Sequence, residues 1–137
     1  MELGKYINKG ARREVYEHPT NPDWVIKKVR DDKPKAQTKN RSEYNVWKLA
    51  NEIGEADLLV PCIELSQCEK YLIQLKGKKV TKRSHIPKKI YTWMGFDASS
   101  PRQWVKIDGK ALLCDYDASQ LTKLQDYVRE LKKEPLE

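Results

Sequence analysis

The sequence predicts an α+β fold, and three observations carry that expectation. Short apolar runs rich in β-branched residues alternate with turn-forming connectors. One segment, residues 37–53, has helical spacing and follows two strand-like runs and precedes two more. A further pair of short runs closes around Asp108-Gly109, a dipeptide suited to the positive φ angles of a two-residue hairpin turn.

In chain order, the first strand is expected around Arg12 to Tyr16 and the second from Trp24 to Val29, with His18-Pro19-Thr20-Asn21-Pro22-Asp23 as the turn between them. The charged stretch Asp31 to Asn40 holds Pro34 and reads as the approach to the helix, which ends near Gly54. Two more antiparallel strands follow at Leu58 to Leu65 and Tyr71 to Leu75, separated by Ser66-Gln67-Cys68-Glu69-Lys70. Pro87 to Trp93 is a short helix candidate, and Gly95 to Pro101 is loop chemistry. Trp104 to Ile107 and Lys110 to Cys114 form the hairpin around Asp108-Gly109. Leu121, Leu124, Tyr127, Val128 and Leu131 give the last element helical spacing, with Lys132-Lys133 favourable at its C-terminal end.

Within the central helix, Val46, Trp47 and Ala50 fall three, four and seven residues after Glu43, which puts Glu43 on the buried stripe. A lone carboxylate there is costly to desolvate, so it needs a cation. Lys27, ending Trp24-Val25-Ile26-Lys27, is the expected partner; the alternative is a Glu at the helix edge that reaches water.

A chain of 137 residues is expected to form one small unit, read as residues 1–77 and a shorter portion 78–137, and is too short for a multi-lobed enzyme. No apolar run approaches a membrane span of roughly 18 residues and the N-terminus has no signal-peptide pattern, so a cytoplasmic protein is expected. Cys62, Cys68 and Cys114 lack paired metal or redox spacing and read as buried thiols. The net charge of +7 lies entirely in residues 76–89, which hold seven Lys or Arg and no acid. Such a run is either a solvated loop or an attachment site, here centred on Lys78, Lys79, Lys82 and Arg83, for an acidic protein surface or a nucleic acid. It has no interleaved aromatic residues to stack on bases.

A glycine-bearing loop, a strand lysine, a helix glutamate and a hairpin ending in an apolar run plus Asp occur here in the order found in protein-kinase-like phosphotransferases. The stretches YEHPTNPDWVIKKV and WVKIDGKALLCDYD look most like the small bacterial and phage kinase-like proteins of the PhoP regulatory network type, distantly akin to aminoglycoside and choline kinases. The resemblance covers about residues 5 to 118. It implies a kinase-like N-terminal lobe, a small antiparallel sheet with one helix, joined to a truncated C-terminal portion. It further implies ATP and Mg²⁺ as cofactors, with Gly10 in the phosphate cover, Lys27 and Glu43 as the phosphate grip, Asp97 as catalytic base, and Gln103 and Asp115 as metal ligands.

The sequence also departs from that pattern. Counting back from Val15, only Gly10 of the three cover glycines is kept, with Asn8 and Arg13 at the other two positions, and Arg13 is expected to crowd a close phosphate approach. Met94-Gly95-Phe96 replaces the expected histidine before Asp97, and Gln103 stands in place of an asparagine. The expected function is therefore a degenerate kinase-like protein, a pseudokinase, that binds a protein partner. The alternatives are an active small ATP-dependent phosphotransferase and a basic module that binds nucleic acid or inhibits a host protein.

Overall fold

Among the described residues, eight short strands and two α-helices form the framework, with short 3₁₀ turns between them. The computed structural model describes residues 1–133, apart from the side chains of Phe96 and Asp97. The strands are Tyr6–Lys9 (β1), Arg13–Glu17 (β2), Trp24–Val29 (β3), Cys62–Leu65 (β4), Tyr71–Leu75 (β5), Lys78–Lys79 (β6), Trp104–Ile107 (β7) and Lys110–Leu113 (β8); the helices are Gln37–Glu52 (α1) and Ala118–Lys133 (α2). One antiparallel sheet has the order β1-β2-β3-β5-β4, and a second has the order β6-β7-β8. The α+β class expected from the sequence is thus the observed one. No helix among the described residues is long and apolar enough to cross a membrane.

Register places the chemistry. Arg13 pairs with Val29, Val15 with Lys27, and Lys27 in turn with Leu72 across the sheet. Because side chains alternate between faces, Arg13, Val15, Lys27, Val29, Leu72 and Gln74 share one face. That face meets α1, whose buried stripe is Asn40, Glu43, Val46 and Ala50. The two sheets are joined by Leu59, which bridges to Leu113, with the Val60 N–H donating to the Leu113 carbonyl (2.9 Å) and the Leu113 N–H to the Leu58 carbonyl (2.7 Å). This bridge delivers the end of β8 to the site beneath α1. One cluster of buried side chains runs across residue 77, from Val46, Ala50 and Leu72 to Trp104, Leu113, Tyr116 and Leu124.

Several elements differ from the sequence expectation. β1 was not expected, because Tyr6-Ile7-Asn8-Lys9 has no alternating apolar pattern and is largely exposed. The strand expected over Leu58 to Leu65 starts only at Cys62, since Leu58 to Val60 are occupied by the bridge to β8. The helix expected over Pro87 to Trp93 is a single 3₁₀ turn, Thr92–Met94. Gly95 at φ 76° ends it, and too few residues remain after Pro87 to nucleate an α-helix. Cys68 is exposed rather than buried, because it sits at the tip of the β4–β5 turn beside Glu69 at φ 63°. The Asp108-Gly109 turn has φ angles of 51° and 78°, as its sequence predicts.

Gly77, between β5 and β6, packs where a side chain cannot stand: a Cβ there would lie 2.7 Å from Val105 Cγ2 and 2.9 Å from Ile107 Cγ1. Both neighbours branch at Cβ and cannot swing aside cheaply. Gly77→Ala should lower stability by about 1–3 kcal/mol. Urea denaturation checks this, and an unchanged midpoint would refute the packing argument.

Candidate functional site

Glu43 is fully buried on α1, and both of its carboxylate oxygens are occupied. Oε1 accepts from Lys27 Nζ and from the Gln74 amide (2.9 Å); Oε2 accepts from Arg13 Nη2 (2.8 Å) and has Lys39 Nζ at 3.9 Å. The strand-to-helix pairing of Lys27 with Glu43 expected from the helix face is therefore present. Lys27 Nζ also donates to the Cys114 carbonyl, which fixes the end of β8 against β3. Arg13 is buried as well, with Nη1 donating to Asn40 Oδ1 (2.9 Å). Among the described residues no buried side-chain nitrogen or oxygen lacks a hydrogen-bond partner.

Asp115 follows β8 and forms the outer corner of the same cluster. Its Oδ1 accepts from Lys39 Nζ (2.8 Å) and more distantly from Arg13 Nη2 (3.4 Å). The Gln103 amide, turned so that its nitrogen faces the acid, donates to Asp115 Oδ2 (3.1 Å) and to the Asp115 carbonyl (3.2 Å). Partial burial opposes ionisation of Asp115, but the charges of Lys27, Lys39 and Arg13 outweigh it and hold its carboxyl down at about 2. Behind the cluster, Tyr116 is fully buried, donates to the Val60 carbonyl (2.9 Å) and contacts Cys62 Sγ (3.2 Å). Burial pushes the Cys62 thiol up to about 11 and the Tyr116 hydroxyl well above its ordinary value, so both stay protonated at neutral pH.

The structure brings Lys27, Glu43, Gln103 and Asp115 together. Gly10 stands apart from them, exposed in the β1–β2 turn, where its N–H donates to the Arg13 carbonyl (2.8 Å). The Asp97 side chain lies outside the described residues. Lys78 and Lys79 form β6, at the edge of the second sheet, and Lys82 and Arg83 follow it; all four are exposed. Arg13, Lys39, Asn40 and Gln74 were not picked out as site residues from the sequence. Two signals were available: Lys39 precedes Glu43 by four residues on a helix, and Gln74 interrupts the apolar run Tyr71-Leu72-Ile73-Gln74-Leu75.

The residues present do not fit the Mg²⁺ that the resemblance implies. A divalent cation of this kind needs carboxylate and other oxygens with free lone pairs. Here Asp115 Oδ1 accepts from Lys39 and Arg13, and Asp115 Oδ2 accepts from the Gln103 amide nitrogen, so both implied ligands are engaged with each other or with cations. No three acidic, His or Cys side chains among the described residues converge on a metal-sized position. The Arg13 guanidinium bridges the Glu43 and Asp115 carboxylates from inside. No protein-family model and no curated protein sequence matches the chain.

Two predictions follow from this geometry. Glu43→Ala should destabilise the protein by about 3–5 kcal/mol, because Lys27 and Arg13 would remain buried without their acid. A loss below about 1 kcal/mol in chemical denaturation would show that water compensates them. For Asp115 the folded state holds the carboxyl below its unfolded value of about 3.9, so its contribution is present above that pH and is lost as pH falls towards 2. Its side chain is 41% exposed, so water screens the effect and the contribution is modest. Melting curves between neutral and acidic pH should therefore fall less steeply below about pH 4 for Asp115→Asn than for the wild type; parallel curves would exclude Asp115 as a source of the acid limb.

Proposed function

We propose that the chain is a minimal, degenerate kinase-like protein that acts by binding an acidic surface of another protein and does not transfer phosphate. The observation that carries the reading is the basic segment. Lys78, Lys79, Lys82, Arg83, Lys88 and Lys89 are all exposed, and none has a salt bridge among the described residues. Lys76 alone in the run is paired, with Glu17 at 3.0 Å. The cations of the site are matched to carboxylates, whereas the other six in the run form a local uncompensated field. The cations on Asp115 support the absence of transfer, since Lys39 and Arg13 already neutralise the acid that a phosphotransferase would commit to metal.

A second reading, a small working phosphotransferase, is favoured by one feature: Lys27, Glu43 and Asp115 converge from three separate elements as that resemblance requires. In that case ATP would bind with the Arg13 side chain displaced.

The test uses fluorescence-labelled polyglutamate and a DNA duplex, with the purified protein and with a variant carrying Lys78→Glu, Lys79→Glu, Lys82→Glu and Arg83→Glu. These positions are exposed, so the variant should keep its fold by circular dichroism. Polyglutamate should bind the wild type at low salt and weaken as ionic strength passes about 0.15 M, where the Debye length is roughly 8 Å. The quadruple variant should lose about tenfold or more in affinity. Tighter binding of the duplex would move the reading to nucleic acid, and γ-phosphate release from ATP above the level of a heat-inactivated control would favour the phosphotransferase.

A further inference from the structure

Arg12 and Arg13 are neighbours where the β1–β2 turn meets β2, and they go to opposite sides. Arg13 enters the buried ion cluster, whereas Arg12 is exposed beside a cleft of about 520 Å³ walled by residues 32–36 and Thr38. Through Arg12 and Thr38 the cleft continues into a recess of about 120 Å³ bordered by Lys39, Ser42 and Ser119.

Arg30 ties the β1–β2 turn to the segment that walls the cleft. Its N–H donates to the Arg12 carbonyl (3.0 Å), its carbonyl accepts from the Lys33 N–H (3.0 Å), and its Nη1 donates to the Gly10 carbonyl (3.2 Å). Its guanidinium also grips Asp32 as a fork, at 2.9 and 2.7 Å. That fork holds the Asp32 carboxyl below the ordinary carboxylate range and cancels the acid nearest the cleft. In the recess, Asp117 is committed to the start of α2, accepting from the Ser119 N–H (3.0 Å) and hydroxyl (2.8 Å). The cleft then carries three cations, Arg12, Lys33 and Lys35, none of which has a salt bridge among the described residues, while Asp117 keeps its negative charge in the recess, accepting there from neutral Ser119 donors. Like charges gathered on one concavity repel each other and attract a multivalent anion. Arg12 supplies the planar fork that matches phosphate oxygens, and the two lysines supply mobile point charges.

We propose that this cleft binds a phosphoryl group, either free or carried by a phosphorylated polypeptide. The volume accommodates a pyrophosphate or a phosphorylated side chain with its neighbours. The site is separate from the exposed basic segment and does not rest on the partner-binding reading.

The experiment is isothermal titration with sodium pyrophosphate at constant ionic strength, together with a short phosphoserine peptide and its unphosphorylated counterpart. It compares the wild type with Arg12→Ala/Lys35→Ala, with the single charge reversal Lys33→Glu, and with the quadruple variant of the basic segment. Saturable binding of pyrophosphate or the phosphopeptide is expected, weakened by about tenfold or more in the double variant and in Lys33→Glu and unchanged in the quadruple variant. Binding of the phosphopeptide alone assigns the polypeptide source; binding of both probes shows that the phosphoryl group suffices. Absence of saturable binding of either probe up to about 10 mM, or equal binding by the wild type and both cleft variants, overturns the proposal. Loss of binding only in the quadruple variant overturns it too, because the anion would then sit on the basic segment. The Lys33→Glu arm decides the matter if the double variant does not fold.

Discussion

The burial of one carboxylate constrains most of this structure. Glu43 is removed from water on α1, and an isolated charge in that position would cost several kcal/mol. Its compensation comes from three strands: Arg13 on β2, Lys27 on β3 and Gln74 on β5. That requirement fixes the rotation of α1 about its axis and the face on which each strand presents its polar residue. A one-residue slip of β3 would turn Lys27 to the opposite face and leave Glu43 short of a partner, so the ion cluster specifies register as well as contributing energy. Because Lys27 also holds the Cys114 carbonyl, the same constraint reaches the second sheet and sets where β8 ends.

Two groups of cations in the protein have opposite consequences. Those near Glu43 and Asp115 are matched to acids at short range, and desolvation makes that matching necessary. Those of residues 76–89 stay in water, where an unpaired ammonium costs little, so nothing in folding requires them to have partners. Their composition is consequently free to answer to whatever meets the surface. The inner cluster answers to stability instead, and this sets it against metal chemistry. Glu43 and Asp115, the acids of the cluster, already accept from a lysine, an arginine or an amide within the chain.

Much of the fold was legible in the sequence because the relevant signals are local. The spacing of Val46, Trp47 and Ala50 from Glu43 gives the buried face of α1, and Asp108-Gly109 gives the β7–β8 turn. The Lys27–Glu43 pairing follows from the cost of burying a carboxylate, which is a property of the residue and its face. Arg13, Gln74 and β6 were harder to read for a different reason. Arg13 turns inward because β2 pairs in register with β3, and Lys78-Lys79 is a strand because β7 lies beside it. Those partners are distant in sequence, and local pattern carries little information about them. The Leu58–Pro61 segment shows the same effect: its apolar residues look like strand, but their backbone groups are used to bridge Leu113 and cap β5.

The β1–β2 turn lies between the inner ion cluster and the outer cleft. Arg13 contacts Glu43 and Asp115 from one side of the turn, and Arg12 borders the outer cleft from the other. Arg30 fastens that turn to the segment leading into α1 by gripping the Gly10 and Arg12 carbonyls and Asp32 at once. Lys39 makes the complementary connection from α1, bordering the recess while its ammonium holds Asp115 and the Tyr116 carbonyl. An anion in the cleft would meet Arg12, Lys33 and Lys35, whereas Lys39, at the rim of the recess, already makes the shortest salt bridge of Asp115. The Asp115 carboxylate is thus held from α1 by Lys39 at 2.8 Å and from β2 by Arg13 at 3.4 Å, so a single side chain, Lys39, separates the recess from the ion cluster.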